Sequence, residues 1–354
     1  MKKLLFAGLI LAAFLSFAVT KVAFIYVGPV GDAGWTYAHD LGRKYLEEHV
    51  PGVVTDYQES VPEGKESIKV IESYVKKGYK IIFTTSFGYM DATEELANKY
   101  PNVAFFHCSG YKYNHRNFSA YFGRMYQARF LTGIVAGMMT KTNIIGYVAA
   151  HPIPEVIRGI NAFALGVKLV NPKAKVKVVW THTWFDPSTE REAAEALLDA
   201  GADILAQHQD SPAPVQAAAD RGDYAIGYNS DMSAFAPENI LTSAIWNWGP
   251  FYAAAVKGVI NGTWKHGFYW WGMDKGIVDI APFGPAVPDN VKSVVNAFKS
   301  LIKQGMFDPF KTPVMKIYDQ DGNLRAEPGK GLTDKELLGM NWFVDNVEGT
   351  IPQE

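Results

Sequence analysis

Hydrophobic and polar positions follow one another along this chain in a pattern that repeats many times. A short apolar run, such as residues 22–27, leads into a polar loop, and a longer segment with apolar residues at helical spacing follows, such as residues 35–50. An unbroken apolar run indicates a strand buried on both faces, and the helical spacing indicates one buried helix face. The pattern therefore predicts a parallel sheet covered by helices.

The alternation runs through two series, the first ending near residue 123 and the second beginning at residue 144. The predicted strands lie at residues 22–27, 53–57, 80–85, 103–107, 119–123, 144–148, 176–181, 204–207, 224–227 and 241–245. The predicted helices lie at residues 35–50, 64–77, 90–100, 126–139, 154–170, 188–200, 213–221, 253–260 and 288–304. Alternating strands and helices form right-handed βαβ units, so we predict an α/β protein with two doubly wound lobes. A Trp- and Gly-rich region beyond residue 260 is too short for a third domain.

The first residues have the features of a secretory signal peptide. Lys2 and Lys3 precede an apolar run, and Ser16 and Ala18 place small residues before a cleavage point after Ala18. We expect residues 1–18 to be removed on export, leaving a soluble periplasmic or extracytoplasmic protein. The alternative is an uncleaved membrane anchor, because the run is about the minimum length that spans a bilayer. No cysteine follows the run, so a lipid anchor on an N-terminal cysteine is excluded.

Charge and composition exclude several classes of function. The 354 residues include 34 Lys+Arg and 36 Asp+Glu, without a clustered basic face, so we expect no nucleic-acid binding. Cys108 is the only cysteine, which excludes an internal disulfide, a Cys-based zinc site and an iron–sulfur cluster. The sequence has no H-E-x-x-H, G-x-S-x-G or P-loop motif. We therefore expect a binding protein with no catalytic set, no metal and no cofactor.

Large aromatic residues recur where predicted strands end, the side on which open α/β sheets bind ligands. Flat rings with a few polar groups between them suit a planar heterocycle. The aromatic residues are Trp35, Phe87, Trp184, Trp246 and Trp248, and the nearby carboxylates are Asp210 and Asp231. Each tryptophan has an alternative role in packing its own loop. Asp210 has an alternative role as N-cap of the helix near Pro212, and Asp231 as a cap or a bridge between the lobes.

The loop after the first strand contains Gly28, Gly31 and Gly34. It is similar to a dinucleotide-binding fingerprint, but G-x-G-x-x-G needs its first two glycines two positions apart. An NAD-linked oxidoreductase is therefore disfavoured.

Several segments together resemble one known family. They include GDAGWT at 31–36 and GIVAGMMTKT at 133–142, and they continue at residues 154–172, 200–207, 227–231 and 241–243. In this order they are similar to the basic membrane protein (BMP) family of ABC-transporter substrate-binding proteins, in its purine-binding, PnrA-like branch. The match covers most of the chain beyond the predicted signal peptide.

The resemblance implies a type I periplasmic-binding fold, with two doubly wound parallel-sheet lobes joined by a three-segment hinge. We expect an N-terminal lobe of residues 19–123 plus about 246–270, and a C-terminal lobe of residues 144–242 plus about 271–310. Residues 311–354 would form a tail that packs on the lobes. The resemblance also implies a purine base or nucleoside as ligand and an ABC permease at the membrane as partner, and we expect a monomer.

The resemblance places Trp35 where the family has an aromatic residue that stacks on the base. Nucleoside binders of the family carry an acidic residue where this chain has Asn229 and a lysine where it has Trp246, and these groups hold the ribose. Their replacement suggests a ligand without a sugar. We expect an adenine-like base sandwiched between Trp35 and Trp184, with Asp210 accepting an N–H.

Phe87 and Trp246 complete the predicted ligand-binding set. One alternative is a binder of purine nucleosides. The other is an exported hydrolase that acts on nucleosides through Asp32, Asp210 or Asp231.

Overall fold

A computed structural model describes residues 19–353. The predicted signal peptide at residues 1–18 lies outside the described residues. The described chain forms two large sheets and a small two-stranded one, with helices on both faces of each large sheet.

The first sheet has six parallel strands and belongs to the N-terminal lobe. Its strand order is β11-β5-β4-β3-β1-β2. The strands are β1 (Thr20–Ile25), β2 (Val53–Gln58), β3 (Ile81–Thr84), β4 (Ala104–Cys108), β5 (Phe118–Gly123) and β11 (Phe268–Trp271). The helices of this lobe are α1 (Trp35–His49), α2 (Glu66–Lys76), α3 (Met90–Lys99) and α8 (Gly249–Ile260). Strands β3 and β5 are buried along their whole length, as their unbroken apolar runs predict.

The second sheet has seven strands and belongs to the C-terminal lobe. Its order is β12-β10-β9-β8-β6-β7-β15, and only the pairing of β12 with β10 is antiparallel. The strands are β6 (Ile144–Ala149), β7 (Lys175–Trp180), β8 (Ile204–His208), β9 (Tyr224–Asn229), β10 (Ile240–Trp246), β12 (Val278–Ile280) and β15 (Val347–Glu348). The helices around it are α4 (Tyr126–Met139), α5 (Pro154–Val170), α6 (Pro187–Asp199), α7 (Ala213–Asp220) and α9 (Asp289–Lys303).

Residues 304–353 form a short irregular segment against this second lobe. It contains the hairpin strands β13 (Ile317–Tyr318) and β14 (Leu324–Ala326) and the helix α10 (Asp334–Leu338). Strand β15 attaches it by adding to the edge of the second sheet beside β7.

Helices α4 and α5 cross closely because a glycine of each helix packs against the backbone of the other helix. A Cβ atom on Gly133 would lie 2.9 Å from the carbonyl carbon of Phe163, and one on Gly166 would lie 3.0 Å from the backbone nitrogen of Ile134. Real Cβ atoms do not approach that closely, so only glycine permits this packing.

Pro154 is the first residue of α5, a position where the missing backbone N–H of proline costs no hydrogen bond.

The chain passes between the sheets three times: after β5, after β10 and after β11. These passages lie together, since a Cβ atom on Gly123 would meet the ring of Trp246 and come within 3.0 Å of Val278. The structure therefore confirms the predicted fold class, two doubly wound lobes joined by three segments.

The structure differs from the prediction mainly after residue 246. Helix α8 begins at Gly249, four residues before the predicted start at 253. Strands β11 and β12 are absent from the prediction, which found a single strand beyond residue 241. They have four and three residues and lie at the sheet edges, so their hydrophobic pattern is too short to recognise. Within residues 19–353, no helix has the length and apolar character needed to cross a bilayer.

Candidate functional site: a cleft between an aromatic and a polar face

The order of the strands places a crevice in each lobe. Strand β1 lies between β2 and β3, and strand β6 lies between β7 and β8. At such a switch point the connections on either side run to opposite faces of the sheet, and ligands bind outside the carboxyl ends of the strands. The candidate site therefore lies between the loops that follow β1 and β3 in one lobe and β6 and β8 in the other.

Loops of the two lobes touch in this structure. The Ser230 hydroxyl donates to the Ala33 carbonyl at 2.5 Å. A Cβ atom on Gly34 would lie 2.7 Å from the Asp210 Cα, in the opposite lobe. Gly34, the last of the three glycines in the loop after β1, is thus needed for the close approach of the two lobes. A dinucleotide ligand is therefore not required to explain this glycine.

Trp35 is held rigidly on the N-terminal side of the cleft. It is the first residue of α1, and its indole N–H donates to the Thr85 carbonyl at 2.6 Å. Its ring meets His39 edge to face, with centroids 4.4 Å apart, and meets Trp246 and Trp248 in the same way at 5.7 Å. A ring fixed by this many neighbours loses little freedom when a ligand stacks on it.

Trp246 and Trp248 form a wall beside Trp35. Their rings stack at 4.6 Å and both are buried. The Trp246 N–H donates to Asn229 Oδ1 at 3.0 Å, and Asn229 Nδ2 donates to Asp210 Oδ1 at 2.8 Å. Asn229 has a φ of 68°, a left-handed conformation that asparagine tolerates. Trp246 ends β10 in the same sheet as Asn229, so the wall is bonded to a carboxylate of the C-terminal lobe.

A buried chain of polar groups supports this wall from behind. His39 Nδ1 and the Tyr252 hydroxyl are 2.5 Å apart, and the Tyr252 and Tyr121 hydroxyls are 3.2 Å apart. Burial lowers the pKa of His39 well below its usual range, so the imidazole is neutral. Burial also raises the pKa of the Cys108 thiol, as expected of an inert core cysteine.

Trp184 lies on the C-terminal side and is 39% exposed. Its ring centroid is 4.9 Å from His151 and 6.1 Å from His208, and its carbonyl accepts the Asp210 N–H at 3.0 Å. Trp184 and Asp210 are therefore held together.

Glu155 and His208 add titratable groups to the same side. Glu155 Oε1 lies 3.7 Å from His208 Nε2. Burial raises the pKa of the Glu155 carboxyl to about 7, although Arg158 and Arg129 act in the opposite direction. Burial and the charges of the same two arginines lower the pKa of His208 well below its usual range. The imidazole is therefore neutral beside a carboxyl that titrates near neutrality.

The predicted site residues divide between the two sides. Trp35 and Trp246 meet in the aromatic cluster, which Trp246 enters from the end of β10, while Trp184 and Asp210 meet on the C-terminal side. Phe87 lies in a 3-10 turn after β3, is 54% exposed, and stacks on no aromatic ring within residues 19–353.

Two alternatives from the sequence are also decided. Pro212, not Asp210, occupies the N-cap position of α7, and the Ser211 hydroxyl accepts the N–H of its first residue, Ala213, at 3.2 Å. Asp231 accepts the backbone N–H of Ser233 at 2.9 Å in a local turn, and the neighbouring Ser230 makes the contact between the lobes.

Sequence reasoning missed Glu155, His151 and His208 as site residues. The available signal was their position: His151 and Glu155 follow β6 and His208 ends β8, the two strands that flank the switch point. Residues 19–353 contain no group of three or more His, Cys, Asp or Glu placed to hold a metal ion.

Comparisons with known proteins agree with the fold. A family model described as Bmp, ABC transporter substrate-binding protein PnrA-like, matches residues 19–306. A purine-binding protein of Brucella abortus is 47% identical over 334 residues, which is 94% of this chain and 94% of that protein. The putative ABC transporter glucose-binding protein TsgA13 of Haloferax volcanii is 41% identical over 333 residues, 94% of this chain and 81% of that protein.

Solved structures share the fold at lower identity. An ABC-transporter solute-binding protein from Conexibacter woesei aligns with a TM-score of 0.70 and 21% identity, over 82% of this chain and 98% of that one. The arabinose-binding protein of an ABC transporter from Shewanella aligns with a TM-score of 0.55 and 14% identity, over 80% and 97%. The resemblance seen in the sequence motifs is confirmed: the chain belongs to the Bmp family of PnrA-like ABC transporter substrate-binding proteins.

Proposed function

We propose that this protein is the extracytoplasmic component that captures an adenine-like purine base between its lobes and delivers it to an ABC permease. The observation that carries the proposal is the contrast between the two sides of the cleft. On one side are flat aromatic rings, of which Trp35 and Trp246 have N–H groups already bonded within the protein, and the other side offers carboxyls and imidazoles. A planar base needs both, because its faces stack and its edge forms hydrogen bonds.

A sugar fits this arrangement less well. Each hydroxyl of a buried sugar needs a polar partner, because an unpaired buried polar group is costly. On the N-terminal side the Trp35 N–H is bonded to Thr85 and the Trp246 N–H to Asn229, so these rings offer mainly apolar surface. The name of the Haloferax relative makes glucose the second candidate ligand, and a thermal-shift screen that includes glucose tests it.

A free base also fits better than a nucleoside. The Asn229 side chain bonds both Trp246 and Asp210, so it is not free to bind a ribose hydroxyl. Trp246 is buried where the family resemblance places a ribose-binding lysine. The Trp246 ring therefore occupies the space that a ribose would need, and the Asn229 side chain is already bonded to protein groups.

In the proposed complex the base lies between Trp35 and Trp184, and Asp210 accepts one of its N–H groups. Support comes from their positions: the two tryptophans lie on opposite sides of the cleft, and the Asp210 backbone bonds to Trp184. Phe87 contributes to the rim. Approach of the lobes, through Ser230 and Gly34, presents a surface that the permease distinguishes from the empty form.

The first test is a thermal-shift screen on protein that has been unfolded and refolded to remove carried-over ligand. A ligand that binds the native state raises the melting temperature with its concentration. We expect a large shift with adenine and small shifts with adenosine and glucose. A larger shift with glucose would favour the sugar candidate, and a larger shift with adenosine the nucleoside candidate. Release of base from added nucleosides would instead support the hydrolase.

Asp210→Ala tests the site itself. Loss of a charged hydrogen-bond partner costs about 1.5–3 kcal/mol, so adenine affinity should fall about tenfold to a hundredfold in calorimetric titration. Asp231→Ala is the matched control, because Asp231 is exposed and bonds only its own turn in the described contacts. Equal affinity of Asp210→Ala and wild type would remove Asp210 from the site.

A further inference from the structure

Glu155 is a carboxyl in the cleft to which the proposed function assigns no role. It follows β6 at the switch point, in the first turn of α5, and its side chain is 22% exposed. Its one described polar contact is with His208 Nε2 at 3.7 Å. It bonds no backbone N–H of its own helix in the described contacts, so it is not an ordinary solvated cap.

The surroundings of Glu155 are built from five elements. Arg158 lies on its own helix and Arg129 on α4, while His208 lies on β8, Tyr228 on β9 and Cys108 on β4. His208, Tyr228 and Cys108 are neutral near pH 7, because burial lowers the pKa of the imidazole and raises the pKa values of the phenol and the thiol. Glu155 is thus the group in this set that titrates near neutrality.

Each of the two arginines bonds a backbone carbonyl, while Nε and Nη2 of Arg129 have no hydrogen-bond partner among the described residues. Arg129 Nη1 donates to the Gln207 carbonyl at 2.6 Å, and its guanidinium lies 3.8 Å over the Tyr228 ring. Arg158 Nη1 donates to the Leu337 carbonyl at 2.7 Å. Neither forms an ion pair with Glu155 within 4 Å among the described residues. The carboxyl therefore keeps hydrogen-bonding capacity for a ligand in the cleft.

We propose that Glu155 binds the edge of the purine and that its protonation state selects between an adenine-type and a guanine-type edge. This inference rests on the proposed function, since it assigns a specificity-determining residue to the same site.

The chemistry follows from hydrogen-bond complementarity. A protonated carboxyl has an O–H donor beside a carbonyl acceptor, which matches the amino group of adenine beside its neighbouring ring nitrogen. An ionised carboxylate has two acceptors, which match the ring N–H and amino group of guanine. Burial raises the pKa of Glu155 to about 7, so both forms are populated near neutral pH. A bound ligand excludes water and favours the neutral form further.

The sign of the pH dependence follows. Adenine binding needs the proton on Glu155, so adenine affinity should fall as pH rises through the pKa, approaching tenfold per pH unit well above it. Guanine binding needs the ionised form, so guanine affinity should rise over the same range. The arginines and His208 keep their charge states between about pH 6 and about pH 8.5, so they contribute no opposing change.

Calorimetric titration with adenine and with guanine between about pH 6 and about pH 8.5 tests this in the wild type. The variant Glu155→Gln presents a permanent donor beside an acceptor, as the protonated acid does. We expect Glu155→Gln to bind adenine with no pH dependence and to bind guanine at least about tenfold more weakly than wild type. Glu192→Gln, at an exposed position of α6, is the matched control and should keep the wild-type profiles.

The outcomes separate the two proposals. Purine binding with the same adenine-to-guanine ratio and pH profile in wild type and Glu155→Gln would overturn the role of Glu155 and leave the proposed function intact. If Glu155→Gln does not fold, flat wild-type profiles for both bases overturn the role by themselves. Absence of purine binding by the wild type would overturn both proposals together.

Discussion

The two sides of the cleft are built from different kinds of residue. The N-terminal side is a cluster of rings around Trp35, Trp246 and Trp248, in edge-to-face and stacked contact with one another. The C-terminal side combines the exposed ring of Trp184 with Glu155 and His208. The first side is rigid and apolar, while the second carries most of the groups that can donate, accept or change charge.

This difference suggests a division of tasks between the lobes. Stacking on an aromatic ring depends little on which base is bound, because every base has a π-face. A hydrogen-bonding edge discriminates strongly, because a mismatched ligand leaves buried polar groups unpaired. We therefore infer that the N-terminal side supplies affinity and the C-terminal side supplies selectivity, and three changes test this division.

The largest effect is expected from preventing the two sides from meeting. Gly34→Ala places a methyl group against the Asp210 backbone of the opposite lobe. A closed form reduced to about 1% of the population lowers apparent affinity about a hundredfold, and we expect a loss of this size in calorimetric titration with adenine. Gly34 has φ −112° and ψ −127°, outside the regions that alanine favours, so circular dichroism of the unliganded variant is measured alongside to separate misfolding from loss of closure.

Gly31→Ala is the control for this change, because a Cβ atom there would meet nothing within 4 Å. Wild-type affinity in Gly34→Ala would show that ligand binding does not need the close approach of these two loops.

An intermediate effect is expected from removing the Trp35 ring, which lies at the centre of the aromatic cluster. Trp35→Ala loses a stacking contact of about 1–3 kcal/mol, so adenine and guanine affinities should both fall, by about fivefold to about 150-fold. Their ratio should remain that of the wild type, as measured by parallel titrations. Trp35→Phe keeps a ring and should recover most of the loss. A changed ratio would contradict the division of tasks, because it would place selectivity on the N-terminal side.

The smallest effect is expected from Phe87, the exposed aromatic residue in the turn after β3. Phe87 is 54% exposed and stacks on no other aromatic ring within residues 19–353, so Phe87→Ala should change the free energy of unfolding by less than about 0.5 kcal/mol. Adenine affinity should change by less than about threefold, measured in the same titration. A tenfold loss would show that Phe87 belongs to the stacking surface and that the aromatic cluster extends to the rim.

Much of the architecture was predictable because its causes are local. The apolar runs predicted β1 to β10, and the helical spacing predicted α1 to α9, with boundaries that differ from the structure by at most four residues. The motifs around Trp35 and Gly133 identified the family. The aromatic residues at strand ends predicted a ligand cleft; in the structure Trp35 contacts Trp246 and Asp210 bonds to Trp184, and the ligand-binding role of these residues stays a prediction.

Contacts between distant parts of the chain were not predictable in the same way. The bond from Trp246 to Asn229, the pair of Glu155 with His208, and the approach of Gly34 to Asp210 each join residues from separate elements. Edge strands β11 and β12 likewise depend on the sheets that they join.

The sequence by itself determined the alternating elements, the two lobes and the family, because hydrophobic periodicity and motif spacing act within short stretches of chain. Only the tertiary structure decided which residues face each other across the cleft. The order of strands around β1 and β6 sets the switch points, and the approach of the lobes then brings Gly34 against Asp210. Such contacts depend on the packing of whole sheets and helices, which leaves no local pattern in the sequence.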